Sequence, residues 1–133
     1  MKLSDISTWN VMMIDDEPHN SGVLQFVFNY HKIPFRSADS GLKGLELIRV
    51  ERPSFVLLDI SMPDVSGYDV LREIRADQNL CDLFVIALTA HAMRGDKERI
   101  LAAGFDGYIP KPVSPINIVN EIVEILNNHH KGI

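Results

Sequence analysis

Five residues stand out because each closes a short apolar run with a polar group. Asp15 and Asp16 end "VMMIDD", Asp59 ends "FVLLD", Thr89 ends "LFVIALT" and Lys111 follows "GYIP". Three carboxylates brought together repel one another, so either one holds a proton or a cation neutralises them. A hard divalent ion on a few carboxylates plus a phosphate is the habit of Mg2+, with Mn2+ the nearest substitute. Zinc is disfavoured, since His19, His31, His91, His129 and His130 lack ligand spacing and partner cysteines. Lys111, held between Pro110 and Pro112, would aim its ammonium into the acidic cleft, pairing first with Asp59 and later with a phosphoryl oxygen. The Thr89 hydroxyl could donate a hydrogen bond to the same group. The chemistry these parts suggest is attack of an aspartate on a phosphodonor with a cation neutralising charge, giving an aspartyl phosphate. Blander readings stand beside it: Asp16 as a helix cap, Thr89 as a β-former, Lys111 as a surface lysine.

Such residues must be delivered by a scaffold. The continuous apolar runs at residues 11–15, 55–59 and 83–89 read as strands buried on both faces. "PFRSA" is a weaker, partly polar strand suited to a sheet edge, and "GYI" is a short fifth strand. Between them lie helical patterns. The first opens at Asp16, Glu17 and Pro18, carries Val23, Leu24, Val27 and Phe28, and fades by Tyr30 or His31. The second starts at a Ser40 cap, places Leu42, Leu45 and Ile48 on one face and stops before Pro53. The third runs from Ser66 to about Asp77 with Val70, Leu71 and Ile74 inward, and the fourth ends near Gly104, which takes the left-handed position. The last carries Ile118, Val119, Ile122, Ile125 and Leu126. Strand and helix alternate five times, which implies a parallel sheet covered by helices on both faces. In such sheets, sites form beyond the carboxyl ends of the strands, where all five chemical residues lie. The Lys111-Pro112 bond is a candidate for the cis form.

Composition excludes several classes. A chain of 133 residues, 46% hydrophobic and 23% charged, suits one domain with one core. A net charge of −5 with no basic cluster argues against a direct nucleic-acid partner. Cys81 is the single cysteine, which precludes an internal disulfide and fits a cytoplasmic setting. No apolar run approaches the roughly 20 residues of a membrane helix, and "MKLSDISTWN" lacks a signal-peptide core.

On the pieces "MIDDEP", "LLDISMPDVSGYDVLREIR", "IALTA" and "AAGFDGYIPKP", in this order, the chain resembles the receiver domain of two-component response regulators over about residues 10 to 126. The resemblance implies a flavodoxin-like (βα)5 three-layer sandwich with strand order 2-1-3-4-5. It implies a domain at residues 11–128, with 1–10 as an N-terminal extension that the fold does not need and 129–133 as a tail. It further implies Asp59 as phosphoacceptor, Asp15 and Asp16 as Mg2+-binding acids with Asp16 the more direct ligand, and the main-chain carbonyl of Ser61 as another. Thr89 resembles the switch hydroxyl, Lys111 the motif lysine, and Tyr108 the switch aromatic, although Tyr108 reads equally as an edge-strand tyrosine. Ser61 and His91 occupy positions that tune phosphate lifetime in the family.

The implied role is a signalling receiver that catalyses only its own phosphorylation and dephosphorylation. Its partners would be a sensor histidine kinase or histidine phosphotransfer domain upstream and a protein target downstream. The face of fourth helix, fifth strand and fifth helix would change shape and is a place for a weak dimer contact, with Ile116 and Val123 seven apart as apolar support. The first helix, with Phe26 and Tyr30 added to its core residues, carries more apolar surface than one buried face needs. A Mg2+-dependent phosphohydrolase is the alternative, but enzymes of the haloacid-dehalogenase type want an Asp where Ser61 stands. A flavodoxin-like cofactor binder wants a Ser/Thr/Gly-rich loop where the chain has Asp15, Asp16 and Glu17. The chain stops soon after its last helix at "NNHHKGI", which reads as a stand-alone regulator or a fragment of a larger protein.

Overall fold

The computed structural model describes residues 5–62, 65–90 and 94–131. Five strands, β1 (Val11–Ile14), β2 (Phe35–Ala38), β3 (Phe55–Asp59), β4 (Phe84–Thr89) and β5 (Gly107–Pro110), alternate with helices α1 (Pro18–Tyr30), α2 (Gly41–Val50), α3 (Gly67–Ala76), α4 (Arg94–Ala102) and α5 (Ile118–Lys131). The strands form one parallel sheet in the order β2-β1-β3-β4-β5, as expected, with the partly polar β2 at an edge. Every residue of β1, β3 and β4 is buried.

Alternation along the strands divides the core in two. Met12, Ile14, Val56, Leu58, Val85 and Ala87 face α2, α3 and α4. Val11, Met13, Phe55, Leu57, Ile86 and Leu88 face α1 and α5, against Leu24, Phe28, Ile118, Ile122 and Leu126. This double burial explains why the strands read as continuous apolar runs. It also leaves the strands' carboxyl ends as the place where polar side chains can gather.

Local signals set the helix ends. The Ser40 side chain accepts from Lys43 N–H and the Ser66 side chain from Asp69 N–H, each capping a helix. Gly104, just past α4, has φ +110, as its position predicts. Lys32 (φ 58) takes the same left-handed conformation after α1, where the sequence offers no glycine. The Lys111-Pro112 bond is cis.

Two expectations are corrected. Leu42 is 68% exposed, because the buried face of α2 is Gly41, Gly44, Leu45 and Ile48, and Leu42 lies about a third of a turn from its centre. Ile116 and Val123 do not form one stripe: Ile116 precedes α5 and is 88% exposed, while Val123 is half-buried against the core. α5 continues to Lys131. Residues 5–10 also seat on the domain. Trp9 is buried edge-on to Phe55, with ring centroids 5.0 Å apart. Asn10 N–H donates to Ser54 Oγ at 2.8 Å, and Ser54 N–H returns a bond to the Asn10 carbonyl at 2.7 Å. A 3-10 turn at Ile6–Thr8, capped by Asp5, leads into this plug.

One polar hub ties α3 to the amino ends of β4 and β5. Arg75 donates to the carbonyls of Cys81 (3.1 Å), Leu83 (2.6 Å) and Gly104 (2.9 Å) and pairs with Asp106 at 3.1 Å. Asp106 in turn accepts from Val85 N–H at 2.8 Å. Arg75→Ala should therefore destabilise the domain by about 2–4 kcal/mol, since it removes several bonds from a largely buried charge pair at once. Urea unfolding checks this, with Arg75→Lys recovering part of the loss.

Candidate functional site

The strand ends bring the expected acids together. β1 and β3 are neighbours with Ile14 opposite Leu58, so Asp15 and Asp59 emerge side by side. Carboxylate oxygens of Asp15, Asp16 and Asp59 all lie within 4.8 Å of one another. Asp15 (3% exposed) and Asp59 (2%) are buried, whereas Asp16 is exposed. An all-oxygen, all-carboxylate donor set of this kind fits a hard divalent cation.

Lys111 reaches the cluster from the far side. The Lys111 N–H donates to the Thr89 carbonyl at 2.7 Å, which ties the end of β5 to that of β4. From there its Nζ bridges Asp15 Oδ2 at 3.2 Å and Asp59 Oδ1 at 3.1 Å. Burial works to lower the lysine's pKa, but the Asp15 and Asp59 carboxylates outweigh it and hold the ammonium above its ordinary range. Asp59 moves in the opposite sense to a paired acid. Burial, then the Asp15 charge, raises its pKa despite the Ser61 N–H and Lys111. One ammonium thus faces three carboxylates, and negative charge remains in excess.

Hydrogen bonds differentiate the carboxylate oxygens. Asp59 Oδ1 accepts both Lys111 and Ser61 N–H (3.1 Å), while Oδ2 receives no hydrogen bond among the described residues. The lone pairs of Oδ2 are therefore the ones open to an electrophile or a metal. Asp15 Oδ1 accepts Glu17 N–H at 2.9 Å, and Oδ2 accepts Asn20 Nδ2 at 3.1 Å in addition to Lys111. Asn20 was not among the residues expected from sequence. Its only signal is its place five residues after Asp15, on the opening turns of α1.

The loop after β3 returns tightly over Asp59. Gly67 N–H donates to the Ile60 carbonyl at 2.9 Å. A Cβ on Gly67 would meet the Asp59 carbonyl oxygen at 2.5 Å and Ile60 Cα at 2.7 Å, both of them backbone. Gly67→Ala should therefore push the loop off the strand end and destabilise the domain by about 2–3 kcal/mol, which thermal melting will show.

The remaining expected residues fall into place unevenly. Thr89, 4% exposed, ends β4 and lines a small cavity with Ser61, Ile60 and Tyr68. Tyr108 is half-buried on β5 opposite Ala87, packed against the α2–α3–α4 side of the core, with Lys97 Nζ 5.8 Å from its ring centroid. His91 lies outside the described residues, as does Pro63 in the loop after β3. Among the described residues no helix is long and apolar enough to cross a membrane.

Known proteins resemble this chain in sequence and fold. The family model for the response regulator receiver domain matches residues 11–123. The polar-differentiation response regulator DivK of Brucella ovis is 35% identical over 91% of this chain and 98% of its own. The receiver domain of sensor histidine kinase PA1611 from Pseudomonas aeruginosa, solved with a magnesium ion in its active-site cleft, superposes with a TM-score of 0.78 at 27% identity, covering 90% of this chain and 98% of its own. The chemotaxis protein CheY4 of Vibrio cholerae shares the fold at a TM-score of 0.81 and 18% identity, covering 88% of this chain and 98% of its own. With a family-model match over residues 11–123 and a 35% identical relative covered over nearly its whole length, the chain belongs to the response regulator receiver domain family.

Proposed function

We propose that this domain accepts a phosphoryl group on Asp59 from a histidine kinase or histidine phosphotransfer domain and signals by a change in its interaction surface. The observation that carries the reading is the Lys111 ammonium bridging Asp15 and Asp59, 3.2 and 3.1 Å away, within a three-carboxylate cluster. In this reading Asp59 Oδ2 attacks phosphorus. The Asp59 O–P bond forms as the bond to the donor's imidazole nitrogen breaks, and its electron pair returns to that nitrogen. Lys111 neutralises charge on the transferring oxygens, and Ser61 N–H fixes the carboxylate plane. Asp15, Asp16, Asp59 and the Ser61 main-chain carbonyl would hold a Mg2+ or Mn2+ ion, which when bound supplies Lewis-acid neutralisation of the phosphoryl oxygens. Asp16, exposed and accepting no hydrogen bond among the described residues, suits direct ligation. PA1611 binds magnesium in the corresponding cleft, which supports the same ion here.

The surroundings suit both ends of a signalling exchange. An apolar groove of His19, Gly22, Val23, Phe26 and Pro115 lies along α1, the helix that follows Asp15 and Asp16 in the chain, and Phe26 is 74% exposed. It would receive the phosphodonor protein. On the other flank, Thr89 would turn toward the added charge and Tyr108 would follow into the space released, reshaping the face of Lys97, Tyr108, Glu121 and Glu124 for a downstream protein. In this reading the receiver unit is residues 11–128, with residues 5–10 packed against it, acting in the cytoplasm. The test is to mix the protein with Mg2+ and a small acyl phosphate and weigh it intact. One alkali-labile phosphate, absent when the ion is chelated, is expected, and no gain in mass would sink the reading.

A further inference from the structure

Among the described residues, the Asn20 amide gives the one hydrogen bond to the acidic cluster that comes from neither backbone nor ammonium. Its carrier is rigid. Asn20 lies in the first turn of α1, its own N–H donates to the Glu17 carbonyl at 3.1 Å, and Pro18 fixes the backbone at the helix start. From that turn Nδ2 reaches Asp15 Oδ2, the same oxygen that Lys111 contacts.

The two donors on this oxygen cannot serve alike during a reaction. Lys111 is shared between Asp15 and Asp59, and both a cation entering the cluster and a phosphoryl group on Asp59 compete for the partners that hold it there. When the ammonium leaves Asp15, a carboxylate only 3% exposed loses a charge-assisted bond and must turn or go unsatisfied unless another donor holds it. A neutral amide does this without cancelling the negative charge that a metal needs, whereas a second lysine or arginine would cancel it.

Resting on the proposed metal-assisted phosphorylation, we infer that Asn20 is a positioning residue for Asp15, keeping that carboxylate aimed at a divalent cation when Lys111 moves to the phosphoryl group. Asn20 touches neither the ion nor the phosphoryl group and acts through Asp15. The side chain is needed as a donor, not as bulk, so the near-isosteric Asn20→Leu and the truncated Asn20→Ala should behave alike.

Calorimetric titration of Mg2+ into the metal-free protein tests this, using wild type, Asn20→Leu and Asn20→Ala. Both variants should bind Mg2+ about tenfold more weakly, while their metal-free melting temperatures stay within about 3 °C of wild type. Phosphate uptake from a small acyl phosphate should need about tenfold more Mg2+ for half its maximal rate, with the rate at saturating Mg2+ nearly preserved. If wild type binds Mg2+ and both variants match it within about twofold, the role assigned to Asn20 is wrong and the phosphorylation reading stands. If wild type takes up no Mg2+ at all, both fall together.

Discussion

Asp59→Asn should take up no phosphate from a small acyl phosphate with Mg2+, a fall of at least about a thousandfold in rate. The substitution keeps the size and the Ser61 N–H contact but replaces one carboxylate oxygen with an amide nitrogen that has no lone pair for attack. Intact mass measured over time decides it, and uptake at the wild-type rate would remove Asp59 from the role. The same variant should gain stability in chelator at neutral pH, by about 1 kcal/mol or some 3–6 °C in Tm. Burial and the Asp15 charge raise the Asp59 pKa above the unfolded value. The folded state therefore binds more protons in the window between that value and the folded pKa. Wild-type metal-free stability falls as pH rises through the window, and Asp59→Asn lacks that fall. Added Mg2+ should stabilise wild type and narrow the gap.

Lys111→Met has the second large effect. It leaves Asp15 and Asp59 buried and adjacent with no ammonium between them. Removing one partner of a buried charge cluster is strongly destabilising, although a carboxylate that can take up a proton limits the damage. The expected loss is about 2–3 kcal/mol in metal-free protein at neutral pH, shrinking in acid as Asp59 protonates. The lysine's own pKa is raised, so its contribution is present below the unfolded lysine value and is lost as pH rises through the folded one. Wild type should thus converge on Lys111→Met in strong base as well as in acid. Combining Lys111→Met with Asp59→Asn should cost less than the two separate effects would predict, and strict additivity would show that the bridge carries no coupling energy. Phosphate uptake by Lys111→Met should slow by about a hundredfold even at saturating Mg2+, because charge neutralisation at the transferring oxygens is lost.

Much of the architecture was legible because a sheet buried on both faces writes itself as uninterrupted apolar runs. "FVLLD" became β3 to the residue, and Ser40 and Ser66 announced two helices through their caps. Legibility failed where a short distance between elements, and not a pattern along one of them, set the outcome. Leu42 looked inward by periodicity, yet α2 approaches β1 through Gly44 and turns Leu42 outward. Trp9 looked like part of an unneeded leader, yet Phe55 provides an aromatic edge contact that no local signal encodes.

The sequence by itself determined which chemistry is available: acids, a hydroxyl and a lysine at the ends of apolar strands, in a motif order that points to a receiver. Tertiary structure alone decided how that chemistry is poised. Pairing of β1 with β3 buries Asp15 beside Asp59 and leaves Asp16 in solvent, which neither the doublet nor its spacing reveals. Lys111 bridges both acids from across the sheet, and Asn20 reaches Asp15 from the first turn of α1. The physical reason is that charge energies depend on separation in space and on exclusion of water. Both are fixed only when elements distant in sequence come into register.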